Sequence, residues 1–256
     1  MNKDLFDITG RVALVTGSSR GIGHTFAKGL LEAGCVVVMN GRDSESLARA
    51  REELATQTGG RVFAQCFDVT DPEAVALGIA GAEEEAGPID ILVNNAGVQR
   101  RSPLLNLPCE VWQEVLNTNL TSAFLVGRET ARRMVARGRG KIVNICSLQS
   151  ERPRPGLSAY SASKGGLKLL TQAMCADLGP AGIQVNGIGP GYFPTEMAAP
   201  LLADPEFSAW ICAKTPLGRW GKLEELIGAL IFLSSSASDF VTGQIIYVDG
   251  GMLAVL

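Results

Sequence analysis

Short runs of β-branched residues alternate with longer amphipathic stretches along the whole chain, and this alternation limits the fold more than any other feature. The runs are Val12–Thr16, Val36–Asn40, Val62–Cys66, Ile89–Asn94, Lys141–Cys146, Gln184–Ile188 and Gln244–Val248. Each is short, apolar on both faces and rich in Val or Ile, as a strand must be when helices cover it on both sides. Helical periodicity fills the gaps, at Gly21–Ala33, Ser44–Thr58, Pro72–Ala86, Cys109–Arg137, Ala159–Leu178 and Leu223–Ser234. Such repetition predicts an α/β fold on a parallel, doubly wound sheet. No repeat, low-complexity tract or linker divides the 256 residues, so 1–256 reads as a single domain. The longest irregular stretch, Pro190–Pro216, carries five prolines and reads as a substrate lid.

Composition narrows the function. Lys and Arg number 23 against 26 Asp and Glu, a net charge of −3, which argues against a protein that grips nucleic acid through phosphate contacts. Hydrophobic residues make up 46%, enough for a large core. The 30 glycines suggest places where backbone approaches backbone, or a ligand, closely. The longest apolar run, Leu226–Leu233, is far too short to span a membrane, and the opening MNKDLFDITG has no apolar signal core. The expectation is a cytoplasmic protein with neither membrane nor nucleic-acid partner. Cys35, Cys66, Cys109, Cys146, Cys175 and Cys212 form no CxxC pair and read as reduced, mostly buried thiols. His24 is the single histidine, too little for a His-based triad or a zinc site, so no metal is expected.

The first run leads into Thr16-Gly17-Ser18-Ser19-Arg20-Gly21-Ile22-Gly23, and a helical pattern follows directly. Gly17, Gly21 and Gly23 let the turn tighten and let a dinucleotide pyrophosphate approach the helix N-terminus, where free N–H groups favour anions. The second run ends Met39-Asn40-Gly41-Arg42-Asp43. Gly41 stands where an acidic residue would bind the ribose hydroxyl of NAD, while Arg42 and Arg20 could face a 2′-phosphate. This predicts NADP(H), with NAD a weaker cofactor; the alternative is that Asp43 caps the next helix and Arg42 points to water. Asp68 and Val69 could bracket the adenine, or Asp68 could cap the turn before Asp71-Pro72. Asn94-Asn95-Ala96-Gly97 closes the fourth run with small and amide residues that can run beside a cofactor and tie strands together.

Tyr160-Ser161-Ala162-Ser163-Lys164 sets a tyrosine and a lysine four apart, on one face of a helix. Ser147 lies just past the fifth run, at the carboxyl end of the sheet where open α/β folds bind ligands. Alcohol oxidation needs a group to take the hydroxyl proton as hydride leaves. A free phenol, with pKa about 10, is mostly protonated at neutral pH. A nearby lysine cation and an oxidised nicotinamide would lower it, which takes roughly 3–4 kcal/mol of differential stabilisation.

TGSSRGIG at 16–23, NNAG at 94–97, Asn119, Ser147, YSASK at 160–164 and PG at 190–191 occur in this order. Across nearly its whole length the chain resembles the short-chain dehydrogenase/reductase family. The resemblance implies a seven-stranded Rossmann sheet in the order 3-2-1-4-5-6-7 and a homotetramer. It implies that Tyr160 is the general acid/base, that Lys164 lowers its pKa and holds the ribose, that Ser147 orients the substrate oxygen, and that Asn119 anchors a water leading to Lys164. It also places Ser19, Ile22, Ala96, Pro190, Gly191 and Thr195 at the cofactor, and Ile188 where the backbone meets the nicotinamide amide.

Substrate choice rests on two further features. Gln99-Arg100-Arg101 follows NNAG at the mouth of the sheet, where a guanidinium could pair bidentately with a carboxylate, unless both arginines sit on a solvated or subunit-facing loop; the resemblance alone favours Arg101 over Arg100. Ser147-Leu148-Gln149-Ser150-Glu151 brings amide, hydroxyl and carboxylate groups suited to a polyol, with Gln149 foremost. Together they predict a small-molecule sugar acid as substrate. A 3-oxoacyl-carrier-protein reductase or another sugar-acid dehydrogenase shares every cofactor motif, and a non-catalytic dinucleotide sensor is the alternative outside enzymes.

Overall fold

The computed structural model describes residues 3–255. Its elements run β1 (Val12–Val15), α1 (Gly21–Glu32), β2 (Val36–Gly41), α2 (Ser44–Thr58), β3 (Val62–Cys66), α3 (Pro72–Ala86) and β4 (Ile89–Asn94). There follow α4 (Cys109–Leu116), α5 (Ser122–Arg137), β5 (Gly140–Ile145), α6 (Ser158–Leu178) and β6 (Ile183–Pro190). The last elements are α7 (Ala199–Leu202), α8 (Pro205–Lys214), α9 (Ile227–Ser234) and β7 (Ile245–Val248). The strands form one sheet in the order β3-β2-β1-β4-β5-β6-β7, with every pairing parallel.

Because successive strand residues point to opposite faces, an all-apolar strand feeds two cores at once. Ala13 and Val15 pack with Phe26 and Leu30 of α1, Leu47 of α2 and Leu230 of α9. Val12 and Leu14 pack on the other face with Ile79 of α3, Met134 of α5 and Met174 of α6. Burying each such side chain contributes roughly 1.5–3 kcal/mol. Chain ends are fixed locally. Asp43 accepts from Ser46 N–H and Asp71 from Glu73 and Ala74 N–H, which caps α2 and α3. The order reverses between β1 and β4, and the crevice at their carboxyl ends is where such sheets bind ligands.

The structure corrects several expectations. Full coverage holds for the central strands but not the edges: all four residues of β7 stay half-exposed, and β3 ends on exposed Cys66. The predicted helix Cys109–Arg137 is interrupted by a π turn over Asn117–Thr121. Asn and Thr are weak helix formers, and the Asn119 side chain leaves the helix to bind Val98 instead. Pro190–Pro216 is not irregular, because Pro200 and Pro205 open α7 and α8. Of the cysteines, all free, only Cys35 and Cys146 are buried, and Cys66 and Cys109 are exposed. Among the described residues no helix is long and apolar enough to cross a membrane. Met1, Asn2 and Leu256, which figured in the readings of the two ends, lie outside the described residues.

Candidate active site

Between β1 and α1 the chain is held from below by the end of β4. Thr16 Oγ1 accepts from the N–H groups of Asn95 and Ala96 at 3.0 and 3.1 Å. Asn95 Nδ2 donates to the carbonyls of Thr16 and Gly17 at 2.9 and 3.0 Å. A Cβ at Gly23 would lie 2.4 Å from both Asn95 Nδ2 and the Gly17 carbonyl oxygen, so only glycine fits this crossing. Gly21 differs: its φ is +57° and an added Cβ would meet nothing within 4 Å. That open space belongs to a cleft of about 1370 Å³ that Gly21 helps to line. α1 begins with no side-chain cap and no acidic residue in its first turn, which leaves its N–H groups free for an anion. The cleft exceeds the roughly 300–1,000 Å³ of a single-ligand pocket. Its glycine cradle and uncapped helix fit a dinucleotide, with room for a substrate beside it.

Apart from Ile188, every predicted cofactor and substrate residue lines this one cleft, and of the predicted catalytic residues only Asn119 does not. At the ribose end both alternatives are half right. Asp43 does cap α2, yet Arg42 lines the cleft and forms no ion pair among the described residues. Arg20 meets Glu196 at 3.2 Å, with both side chains exposed. Asp68 accepts from Thr70 N–H and Oγ1, bonds that hold its carboxyl below the ordinary range, with the Arg42 charge adding to them. It is thus a turn cap that also faces the cleft. Thr195 likewise accepts from Ala198 N–H at 3.3 Å while lining the wall.

The proton-handling end sits past β5. Ser147, Tyr160 and Lys164 line the cleft together, the last two one turn apart on α6. Lys164 Nζ donates to the Ile145 carbonyl at 2.6 Å, and burial pulls its pKa down to about 8. It lies 5.8 Å from the Tyr160 ring centroid. Burial pushes the Tyr160 phenol above its usual value, and the Ser147 hydroxyl draws it partly back. Lys164 is engaged with a carbonyl, and without the nicotinamide charge, which shares the expected lowering with the lysine, burial dominates at the phenol. Asn119 stands beside the cleft rather than lining it. Its Oδ1 accepts from Val98 N–H at 2.7 Å, and its Nδ2 donates to the Val98 carbonyl and Ser163 Oγ. The side chain is committed to bracing the segment after NNAG. Ile188 is wholly buried in β6, and its carbonyl accepts from Cys146 N–H, so it does not reach the cleft.

At the substrate end the two arginines separate. Arg100 forms a bidentate pair with Glu114, at 2.7 and 3.2 Å. Arg101 has no hydrogen bond or ion pair among the described residues, and partial burial together with the Arg154 charge lowers its pKa. Gln149 is buried, lines the cleft, and its Oε1 has no partner among the described residues. Glu151 belongs elsewhere, because Lys168 and the Tyr247 hydroxyl both donate to it. Ser150 is turned to the Lys164 carbonyl.

Sequence reasoning missed Asn40 and Tyr192. Asn40 Nδ2 donates to the carbonyls of Gln65 and Phe67 at 3.1 Å, and Oδ1 accepts from Gly17 N–H, joining the glycine loop to β3. A lone amide closing the run VVVMN was the available signal. Tyr192 lines the same cleft as Arg101, and no local spacing marks it.

A parallel sheet with a phosphate cradle at its switch point, and Ser, Tyr and Lys gathered in the same cleft, defines a dinucleotide-dependent oxidoreductase. The chain belongs to the short-chain dehydrogenase/reductase family: residues 17–253 match the family model described as enoyl-(acyl carrier protein) reductase. It is 53% identical over 253 residues to gluconate 5-dehydrogenase of Gluconobacter oxydans, covering 99% of this chain and 98% of that protein. It is 47% identical to 5-keto-D-gluconate 5-reductase of Escherichia coli, covering 99% of each. A gluconate 5-dehydrogenase from Burkholderia cenocepacia, solved in complex with NADP and tartrate, superposes with a TM-score of 0.96 at 48% identity, covering 99% of both chains.

Proposed function

We propose that this enzyme interconverts D-gluconate and 5-keto-D-gluconate with NADP(H), in the cytoplasm and as a homotetramer. The observation that carries the substrate class is Arg101, a cation without a counter-ion in the same cleft as Ser147 and Tyr160. An unpaired guanidinium lining a cleft is free to pair bidentately with a ligand carboxylate. The Gln149 acceptor in the same cleft suits a substrate hydroxyl. The names of the relatives point to the same sugar acid.

The Gly17–Gly23 loop, Asp68, Val69 and Asn95–Gly97 would hold the dinucleotide, Pro190, Gly191 and Thr195 its nicotinamide end, and Arg20 and Arg42 the 2′-phosphate. When bound, the cofactor supplies or accepts the hydride. Ser147 holds the substrate oxygen by hydrogen bond. Tyr160, neutral in this environment, donates its proton to that oxygen in reduction and takes it back in oxidation. Lys164 holds the ribose hydroxyls and supplies positive charge beneath the phenol, and Arg101 fixes the carboxylate. The segment over 190–216 closes across the pair and excludes water, which strengthens electrostatics at the reacting atoms.

NADPH absorbance decay with 5-keto-D-gluconate, with acetoacetyl thioester and with buffer alone tests the reading. Rapid decay with the keto acid alone supports it, and decay with the thioester alone overturns it. In Arg101→Ala the KM for the keto acid should rise roughly ten- to a hundredfold, the cost of one charge-assisted contact of about 1.5–3 kcal/mol, while a neutral ketose is unaffected.

A further inference from the structure

A second arginine stands behind the substrate end of the cleft. Arg154, half-buried in the loop before α6, donates from Nη1 to the Tyr192 hydroxyl at 2.9 Å. Its guanidinium lies 4.4 Å from the Phe207 ring centroid and 5.0 Å from that of Trp210, both on α8. Those two rings stack on each other at 5.6 Å, and Tyr192 meets Phe207 and Trp220 edge-on. The loop is also fixed to the one bearing Arg101: Ser102 N–H donates to the Gly156 carbonyl at 3.0 Å. One planar cation therefore touches the lid helix and the Tyr192 wall, on a loop bonded to the arginine loop. Neither Arg101 nor Arg154 forms an ion pair with a carboxylate among the described residues.

We propose that Arg154 is a positioning residue that makes the site selective for anionic substrates, clasping α8 and Tyr192 over the pocket and setting a second positive charge beside Arg101. The inference rests on the sugar-acid reading above and deepens it. Two guanidinium groups held close together repel each other, and the repulsion is relieved when an anion enters between them and the solvent. A flat guanidinium can stack on Phe207 and Trp210 while keeping its edge donor on Tyr192, a combination that an ammonium cannot reproduce. The clasp and the charge are thus one side chain, so the group that helps draw an anion to the Arg101 end also contacts the helix of the segment that closes over it.

Arg154→Met keeps the apolar stem and removes charge and fork, and Arg154→Lys keeps the charge alone. For Arg154→Met we expect KM for 5-keto-D-gluconate to rise at least tenfold with kcat within threefold, and NADPH affinity and KM for a neutral ketose to stay within twofold. Arg154→Lys should recover only part of the loss. Calorimetric titration of tartrate into the NADP-loaded protein gives a readout separate from turnover, with at least tenfold weaker binding in Arg154→Met and threitol as the uncharged control. If keto-acid turnover is present and Arg154→Met leaves its KM unchanged, or weakens charged and neutral substrates alike, the proposal is overturned while the function stands. If the wild type reduces only neutral ketones, the sugar-acid reading fails and the tartrate titration decides. A tenfold loss in Arg154→Met then supports the two-cation end, and equal or absent binding overturns it.

Discussion

Tyr160 and Lys164 face one way because four helical residues separate them, but their neighbours decide what each does. Lys164 is fixed to the Ile145 carbonyl and, with a pKa about 8, remains mostly charged at neutral pH. Tyr160, raised by burial, keeps its proton in the free protein, which readies it to donate in the reductive direction. Tyr160→Phe removes that proton and almost no packing. Its kcat should fall by about 10²–10⁴-fold while NADPH affinity, measured by fluorescence titration, stays within twofold. A variant retaining more than a tenth of wild-type kcat would move the acid/base role to another group.

At the scale of elements, helix and strand identities were legible because period and composition agree, as in Ser44–Thr58 and Ile89–Asn94, whose ends match the structure. The π turn at Asn117–Thr121 was not, since it depends on Asn119 reaching a loop more than twenty residues earlier in the chain. The helices within 190–216 were missed because the prolines there read as breakers, although Pro200 and Pro205 occupy first-turn positions where proline is tolerated. The glycine loop and the Ser, Tyr and Lys set could be read locally. Arg154 and Tyr192 could not, because their pairing exists only after β5, β6 and α8 come together. Two glycines of the loop should behave differently. Gly23→Ala forces a Cβ against Asn95 Nδ2 and the Gly17 carbonyl, and should cost about 1–3 kcal/mol or more in denaturant unfolding. Gly21→Ala meets no atom, so its left-handed φ should cost only ~1–2 kcal/mol, while the methyl group enters the cleft and weakens NADPH binding. Equal losses of stability in both variants would refute that division. The lid should show slower amide exchange over 190–216 when NADP and gluconate are added together. Unchanged protection would mean that it packs the same way with or without ligand.

For the whole molecule, the helices flanking β4 and β5 leave apolar side chains uncovered. Phe124 and Val135 on α5 and Leu169 on α6 are 42%, 44% and 65% exposed, and the edge strand β7 is half-exposed throughout. In the proposed homotetramer, other copies of the chain would cover this outer apolar surface. Light scattering should therefore give a mass near four times the 27.0 kDa chain, and a monomer at micromolar concentration would contradict the tetramer. The same fold gathers the glycine loop, Ser147, Tyr160, Lys164 and an unpaired Arg101 around a single cleft. In the proposed function a sugar acid held by its carboxylate at Arg101 presents a carbon remote from the carboxylate to Tyr160. Incubation of the enzyme with NADP and D-gluconate, followed by carbon NMR of the product, tests this directly. The account predicts a new ketone carbon at C5 and none elsewhere. A ketone at C2, or no product from gluconate while a 3-oxoacyl thioester consumes NADPH, would contradict it.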